Sequence, residues 1–184
     1  MLYIITALKP EAQAFIDRYR LQKSKLGDFN IFTNKETTLI VSGLGIKNAT
    51  LATQTLIDHF DITDDDMYIN VGICGASKEY KIGELLQIGA INYKNQTYTA
   101  NQKIQTTIEC LDEEAKDKKY EIVDMESFGF YDAVIHSPAI KNYSIFKVVS
   151  DHFEPHKVTK DGTKSLIFNV IDAINNIIFT KAKS

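Results

Sequence analysis

Arginine and cysteine are both scarce in this chain, and each scarcity narrows what the chain can be. Arg18 and Arg20 are the only arginines among 184 residues, and both fall in the first predicted helix. Neither stands at a strand end, where an arginine-rich phosphate site would be built. The two cysteines, Cys74 and Cys110, have no CxxC partner and no histidine at metal spacing, so a zinc site is not expected. No secretory leader is legible, because Met1 to Leu8 is apolar but too short and without a basic start. Reduced thiols and a cytoplasmic location are the expectation. No stretch approaches the roughly 18 apolar residues of a membrane-spanning helix, so no membrane partner is expected. Internal repeats and low-complexity linkers are missing too, which predicts a single domain over residues 1–184.

What is present is ordinary for a globular domain: 44% hydrophobic and 24% charged residues, enough to build a real core. The formal charge of -3 argues against a nucleic-acid partner. It leaves room for a small anionic ligand, which needs only one local basic or amide-lined pocket.

Hydrophobic periodicity supplies the elements. Leu2 to Ala7 is a short, continuously apolar run and predicts a buried strand. Pro10 then suits a helix first turn, and Ala12, Phe15, Ile16 and Tyr19 share one helix face. Asn30 to Thr33 and Thr37 to Ser42 predict paired strands with the turn at Asn34 to Glu36. Gly43 and Gly45 precede a second helix, whose inner face is Ala49, Ala52, Leu56 and Phe60. Met67 to Val71 predicts a strand closed by Gly72 and Gly75. Glu84 to Ile91 predicts another, with Tyr93 to Thr99 as a hairpin or ragged edge. Residues 101 to 119 are polar and weakly patterned, with a short helix predicted near Asp112 to Asp117. Glu121 to Val123 reads as a brief strand, Glu126 to Ile135 as a helix and Tyr143 to Val149 as the last strand. Ile167, Val170, Ile171, Ile174 and Ile178 form one stripe of a C-terminal helix. Strands alternating with helices predict an α/β fold: three layers, α/β/α, around a mixed, mostly parallel sheet.

In such sheets, ligands collect at the carboxyl ends of the strands, so the chemistry is sought there. Glu11 follows the first strand; it can serve a ligand or simply complement the positive end of its helix. Ser42, Gly43, Leu44 and Gly45 begin like a dinucleotide fingerprint, but Asn48 occupies the third glycine position, and a tight turn accounts for the pair. Lys47 there points more naturally to solvent. Asn70 to Ala76 carries small residues, including Gly75, that let a ligand approach backbone amides or just let the chain turn. Cys74 within it has no local base to activate it and reads as a buried structural thiol. Val123 to Ser127 and Val148 to Asp151 each place a carboxylate just past a strand. Glu126 could accept hydrogen bonds from paired sugar hydroxyls through its two oxygens. Asp151 could act as a general acid where its surroundings favour the protonated form. Either could instead be a helix N-cap or first-turn acid. Asp151, His152, Glu154 and His156 do not make a metal site, because Pro155 interrupts them and no third ligand is fixed. No cofactor is expected.

Taken in order, these junctions resemble those of the nucleoside phosphorylase and nucleosidase superfamily. The set is a strand with Ala-x-x-x-Glu (Ala7, Glu11), Ser-Gly-x-Gly (from Ser42), Asn-x-Gly-x-x-Gly (Asn70 to Gly75), Val-Asp-Met-Glu-Ser (from Val123) and Val-Ser-Asp (to Asp151). The closest branch by pattern is the methylthioadenosine/S-adenosylhomocysteine nucleosidases, with this chain as a shortened member whose missing length falls between Gly89 and Glu121. The resemblance implies roles at the matching positions. Glu11 and Asp151 would be catalytic, Glu11 orienting a water and Asp151 protonating a purine ring nitrogen. Met125 and Glu126 would hold the ribose, with Ser150, Lys147 and Gly75 completing the substrate site. Lys147 stands where these enzymes usually carry an arginine, and lysine lacks the planar fork. A homodimer and a small-molecule nucleoside partner are implied as well. The expected activity is hydrolysis of an adenine-type nucleoside such as methylthioadenosine. The alternatives are a non-catalytic nucleoside-binding relative with a reduced base pocket, or a phosphorylase. The shortage of arginine, and Ile73 where a small hydroxyl residue is common, favour water over phosphate.

Overall fold

The computed structural model describes residues 1–115 and 119–181. The first strand, β1 (Leu2–Thr6), is buried along its whole length. Such a strand can only lie in the middle of a sheet covered on both faces. It runs parallel to β4 (Thr37–Val41) on one side and β5 (Met67–Ala76) on the other. Beyond β5 lies β11 (Asn142–Asp151), again parallel, so the centre of the sheet is β4-β1-β5-β11. Outside β4 come β3 (Phe29–Thr33) and β2 (Gln22–Leu26), both antiparallel. On the far side β6 (Leu85–Gln87) closes on β11. A second wing holds β10 (Ile122–Asp124), β9 (Thr107–Cys110), β7 (Ala90–Tyr93) and β8 (Gln96–Thr99), joined to β5 through β10.

Among the described residues four α-helices cover this mixed sheet, two on each face. On one face α1 (Lys9–Tyr19) packs against α4 (Lys160–Lys181), burying Phe15, Ile167, Ile171 and Ile174 over Ile4, Leu39 and Val71. The stripe predicted for the C-terminal helix is buried throughout. On the other face α2 (Ile46–His59) lies beside α3 (Ser127–Ile135), covering Ile5, Ile40 and Ile145 with Leu56 and Phe130. The predicted three-layer α/β/α architecture with a mixed sheet is the architecture observed.

Several boundaries differ from the sequence expectation, each for a physical reason. Strand β5 does not stop at Val71; it continues through Gly72 and Gly75 to Ala76, because β11 pairs with it as far as Gly75. The run Glu84 to Ile91 is two strands: β6 pairs with β11, and the chain breaks at Ile88 and Gly89 before β7 joins β9. A side chain at Gly89 would meet the Ile104 carbonyl oxygen at 1.9 Å. Strand β2 escaped periodicity because it is a lysine-bearing, mostly exposed edge, a composition that discourages edge-to-edge pairing. Strand β9 hides inside the polar stretch 101–119, with only Ile108 and Cys110 turned inward. Of the helix expected near 112–117, residues 112–115 form none, and 116 and 117 lie outside the described residues. The hairpin at Tyr93 to Thr99 is present, turning through Lys94 and Asn95, both at positive φ (49° and 63°), as a tight two-residue turn demands.

The contact between α2 and α3 depends on Gly129, whose absent Cβ would sit 2.2 Å from the Ile46 carbonyl oxygen. Gly→Ala inside a helix ordinarily stabilises by up to about 1 kcal/mol. Here overpacking against backbone wins, and Gly129→Ala is expected to lower stability by about 1–3 kcal/mol. Urea unfolding followed by circular dichroism measures it; a more stable variant would show that the two helices can separate freely.

Candidate active site

Past the carboxyl ends of β1, β5, β10 and β11 lies a cavity of about 370 Å³. Glu11, Gly75, Met125, Glu126, Ser150 and Asp151 all line it. Six of the seven residues singled out in the sequence therefore meet at one place. The seventh, Lys147, is fully buried beside that lining, against Asp124.

Glu11 sits in the first turn of α1, where Pro10 and the preceding extended residue Leu8 start the helix. Its Oε2 accepts the N–H groups of Ala7 (3.0 Å) and Leu8 (2.8 Å), so it does complement its own helix start. That is half of its role. Its Oε1 reaches β5 and accepts the Ile73 N–H at 2.9 Å. Burial pushes its carboxyl pKa up, opposed by those three N–H donors and by the ammonium of Lys147. Gly72 makes the arrangement possible. A Cβ there would stand 3.0 Å from Glu11 Oε1 and 3.5 Å from Lys147 Nζ. The glycine expected to end the strand instead opens the space in which these two groups approach.

Lys147 leaves β11 opposite Gly72 and ends on Asp124 at 2.7 Å. Gly75 pairs with Asp151 of β11 along one edge and with Val123 of β10 along the other. The lysine therefore crosses β5 to reach its partner, over the strand's missing side chain. Asp124 also accepts from Ser127 Oγ (2.6 Å), Ser127 N–H (2.8 Å) and Glu126 N–H (3.3 Å). Little in the sequence sets Asp124 apart. The lone signal for it was its place beside Glu126 at a strand end, and its partner lies 23 positions away on a strand it does not pair with.

Glu126 precedes the first turn of α3 and is buried. Its Oε1 accepts the Gly45 N–H at 3.0 Å, while Oε2 accepts no hydrogen bond among the described residues. Gly45 has φ of +95°, which a side chain would resist, so the Gly43–Gly45 turn serves to aim an amide at Glu126 rather than at a dinucleotide. Burial pushes the Glu126 carboxyl up to about 7, Lys147 opposing and Asp124 and Glu11 adding to the rise. For Lys147 itself burial acts downward, but Asp124, Glu126 and Glu11 together outweigh it and hold the ammonium protonated.

Asp151 ends β11 after a bulge between Val149 and Asp151. Its Oδ2 accepts the Ser150 hydroxyl at 2.7 Å, and its Oδ1 accepts the Glu154 N–H at 2.8 Å. It is half-buried, facing the cavity beside Gly75 and Phe153. The remaining candidates are structural. Lys47 is exposed, and burial pushes the Cys74 thiol well up, away from a nucleophilic thiolate. Among the described residues no group of three histidine, cysteine or carboxylate side chains could hold a metal ion. His152 turns its Nδ1 to the Ala76 carbonyl instead (3.0 Å).

No family model and no curated protein matches the sequence. Solved structures do match its fold. The 5'-methylthioadenosine/S-adenosylhomocysteine nucleosidase of Helicobacter pylori, solved with butyl-thio-DADMe-Immucillin-A, superposes with a TM-score of 0.77 over 97% of both chains at 14% identity. The nucleosidase of the same name from Colwellia psychrerythraea, solved with adenine, gives 0.72 over 93% of this chain and 94% of its own, at 16% identity. Futalosine hydrolase of Helicobacter pylori gives 0.73 over 94% and 97%, at 14% identity. The chain thus has the nucleoside phosphorylase-like α/β fold. At such identities the likeness is one of fold, and function has to be argued from the site.

Two outcomes follow from the buried charges. A glutamate whose folded pKa is near 7, above its ordinary 4.5, binds its proton more tightly in the folded state. Its contribution to stability is present at low pH and is lost as pH rises from about 4.5 to about 7. Glu126→Gln is expected to flatten that descent and to be the more stable protein at pH 8, by on the order of 3 kcal/mol, as urea unfolding across pH would reveal. Lys147→Met leaves Asp124 charged and alone, and is expected to cost about 3–5 kcal/mol.

Proposed function

We propose that the protein is a nucleosidase, hydrolysing the N-glycosidic bond of a purine nucleoside, with an adenine nucleoside such as methylthioadenosine as its substrate. The observation that carries this reading is the convergence of Glu11, Glu126 and Asp151 on one cavity at the strand ends. Its volume, about 370 Å³, lies within the range of about 300–1,000 Å³ that small-molecule sites occupy.

The chemistry asks for what these groups can supply. Cleaving the bond builds positive charge on the sugar and negative charge on the leaving base. Asp151 donates a proton to a ring nitrogen of the base, with the Ser150 hydroxyl orienting its carboxyl group. Glu126, ionised, accepts hydrogen bonds from the two sugar hydroxyls through Oε2, and Met125 packs beneath the ring. Glu11 keeps spare acceptor capacity on Oε1, aligns the attacking water near the charge of Lys147, and takes up the proton that the water loses as it bonds to the sugar carbon. In this reading Asp151, at the open side of the cavity, is the proton donor, and Glu126 is the carboxylate that holds the sugar. Water rather than phosphate is the nucleophile in this reading, because no arginine lines the cavity. Arg18 is engaged with Asp172 and Arg20 caps α1.

Incubation with a panel of nucleosides, with and without phosphate, and assay of free base tests the proposal. Base release without phosphate is expected. Release only with phosphate would make the protein a phosphorylase, and thermal stabilisation by a nucleoside without release would make it a binding protein. Asp151→Asn is expected to lower kcat by about 10²–10⁴-fold. Because the free enzyme must lose the Glu126 proton before the carboxylate can grip a sugar, while Asp151 must keep its own, the limb of the kcat/KM profile that reports Glu126 is expected to rise with pH through about 7, and Glu126→Gln to abolish that limb.

A further inference from the structure

Asp124 is the most heavily engaged carboxylate near the cavity, yet no step of the chemistry above uses it. Its oxygens accept from Lys147 Nζ (2.7 Å), Ser127 Oγ (2.6 Å), Ser127 N–H (2.8 Å) and Glu126 N–H (3.3 Å). Three of these donors meet Oδ2 and one meets Oδ1, and the side chain has no exposed surface, so the carboxylate is committed to groups of this chain rather than to a ligand. It is placed to hold other groups. On one side it fixes the backbone from which Glu126 projects; on the other it fixes the ammonium that crosses Gly72 toward Glu11.

We propose that Asp124 is the positioning residue of this site. By anchoring Lys147 over Gly72 and the start of α3 together, it sets the charge that Glu126 and Glu11 experience when a ligand arrives. This deepens the nucleosidase reading and rests on it only for the kinetic part of its test.

Glu126 is faced by Lys147 from β11, Asp124 from β10, Glu11 from α1 and the Gly45 amide ahead of α2. The neighbouring thiols, Cys74 of β5 and Cys110 of β9, are kept neutral by burial. Three carboxylates thus share one ammonium. Asp124 takes the direct contact, and the other two receive what remains. Were it only a helix cap, asparagine would serve as well, since its carbonyl oxygen accepts the same N–H groups.

An NMR titration of the Glu126 carboxyl carbon, assigned against Glu126→Gln, tests this without any substrate. Asp124→Asn is expected to lower the Glu126 midpoint by about one pH unit or more, because a repelling anion is gone and the ammonium is freed for the others. Asp124→Asn combined with Lys147→Gln leaves no buried charge of the pair unmatched, and it carries the test should the single variant not fold. In it the midpoint is expected to rise instead, because the lost ammonium outweighs the lost anion. A midpoint that stays in place overturns the proposal. In the kinetic part, Asp124→Asn lowers kcat by up to about 100-fold with KM little changed, and Asp124→Glu restores part of it; a change confined to KM would count against it. If no nucleoside is cleaved, the nucleosidase reading fails, while the titration still decides the role of Asp124.

Discussion

An ammonium group buried within a sheet loses its hydration, a penalty of several kcal/mol that only well-placed partners offset. Lys147 is such a group, and much of this molecule's architecture can be traced to accommodating it. Gly72 clears its path across β5, Asp124 receives it, and Ser127 and the first amides of α3 satisfy the rest of Asp124. The pair ties β11 to β10 across the central strand. That tie keeps the cation near Glu11 and holds the carboxylate that accepts the Glu126 and Ser127 N–H groups. A buried ion pair is weak evidence for stability as such, since apolar residues often pack as well. Its use here is geometric.

The same constraint explains how unlike carboxylates coexist in one cavity. Glu11 is held by three backbone amides, Glu126 by one, and Asp151 by an amide and a hydroxyl at the more open side. Burial raises Glu11 and Glu126, while the lysine restrains the rise. A cavity whose buried lysine is outnumbered by acids suits, in the proposed reaction, a ligand that becomes electron-poor as it reacts, which is what a sugar losing its base does. In the proposed reaction, the absence of arginine from the cavity lining is what favours water over phosphate as the attacking group.

The parts that local pattern could reveal were legible. Continuous apolar runs made β1 and the start of β5 recognisable, and the isoleucine stripe made α4 plain. Glu11 and Asp151 stood out because each follows a buried strand of the parallel centre, where such positions share one rim; Glu126 also follows a buried strand, but β10 runs antiparallel to β5, so its place in the same cavity came from the tertiary structure. Strand β2 was hidden by its exposed lysines and β9 by its polar surroundings, since neither carries much buried surface of its own. Gly72 misled: a glycine in a strand reads as an ending, although here it is a clearance.

The residues alone determined the layers of this protein and which acids follow buried strands, because strand and helix periods are local properties of the chain. Which acid meets which cation was decided by tertiary structure. Asp124 and Lys147 lie on strands that never pair, and only the crossing over β5 brings them to 2.7 Å. The division of charge among Glu11, Glu126 and Asp124 follows from that meeting, and from the depth at which it occurs. Neither is written in any one stretch of sequence.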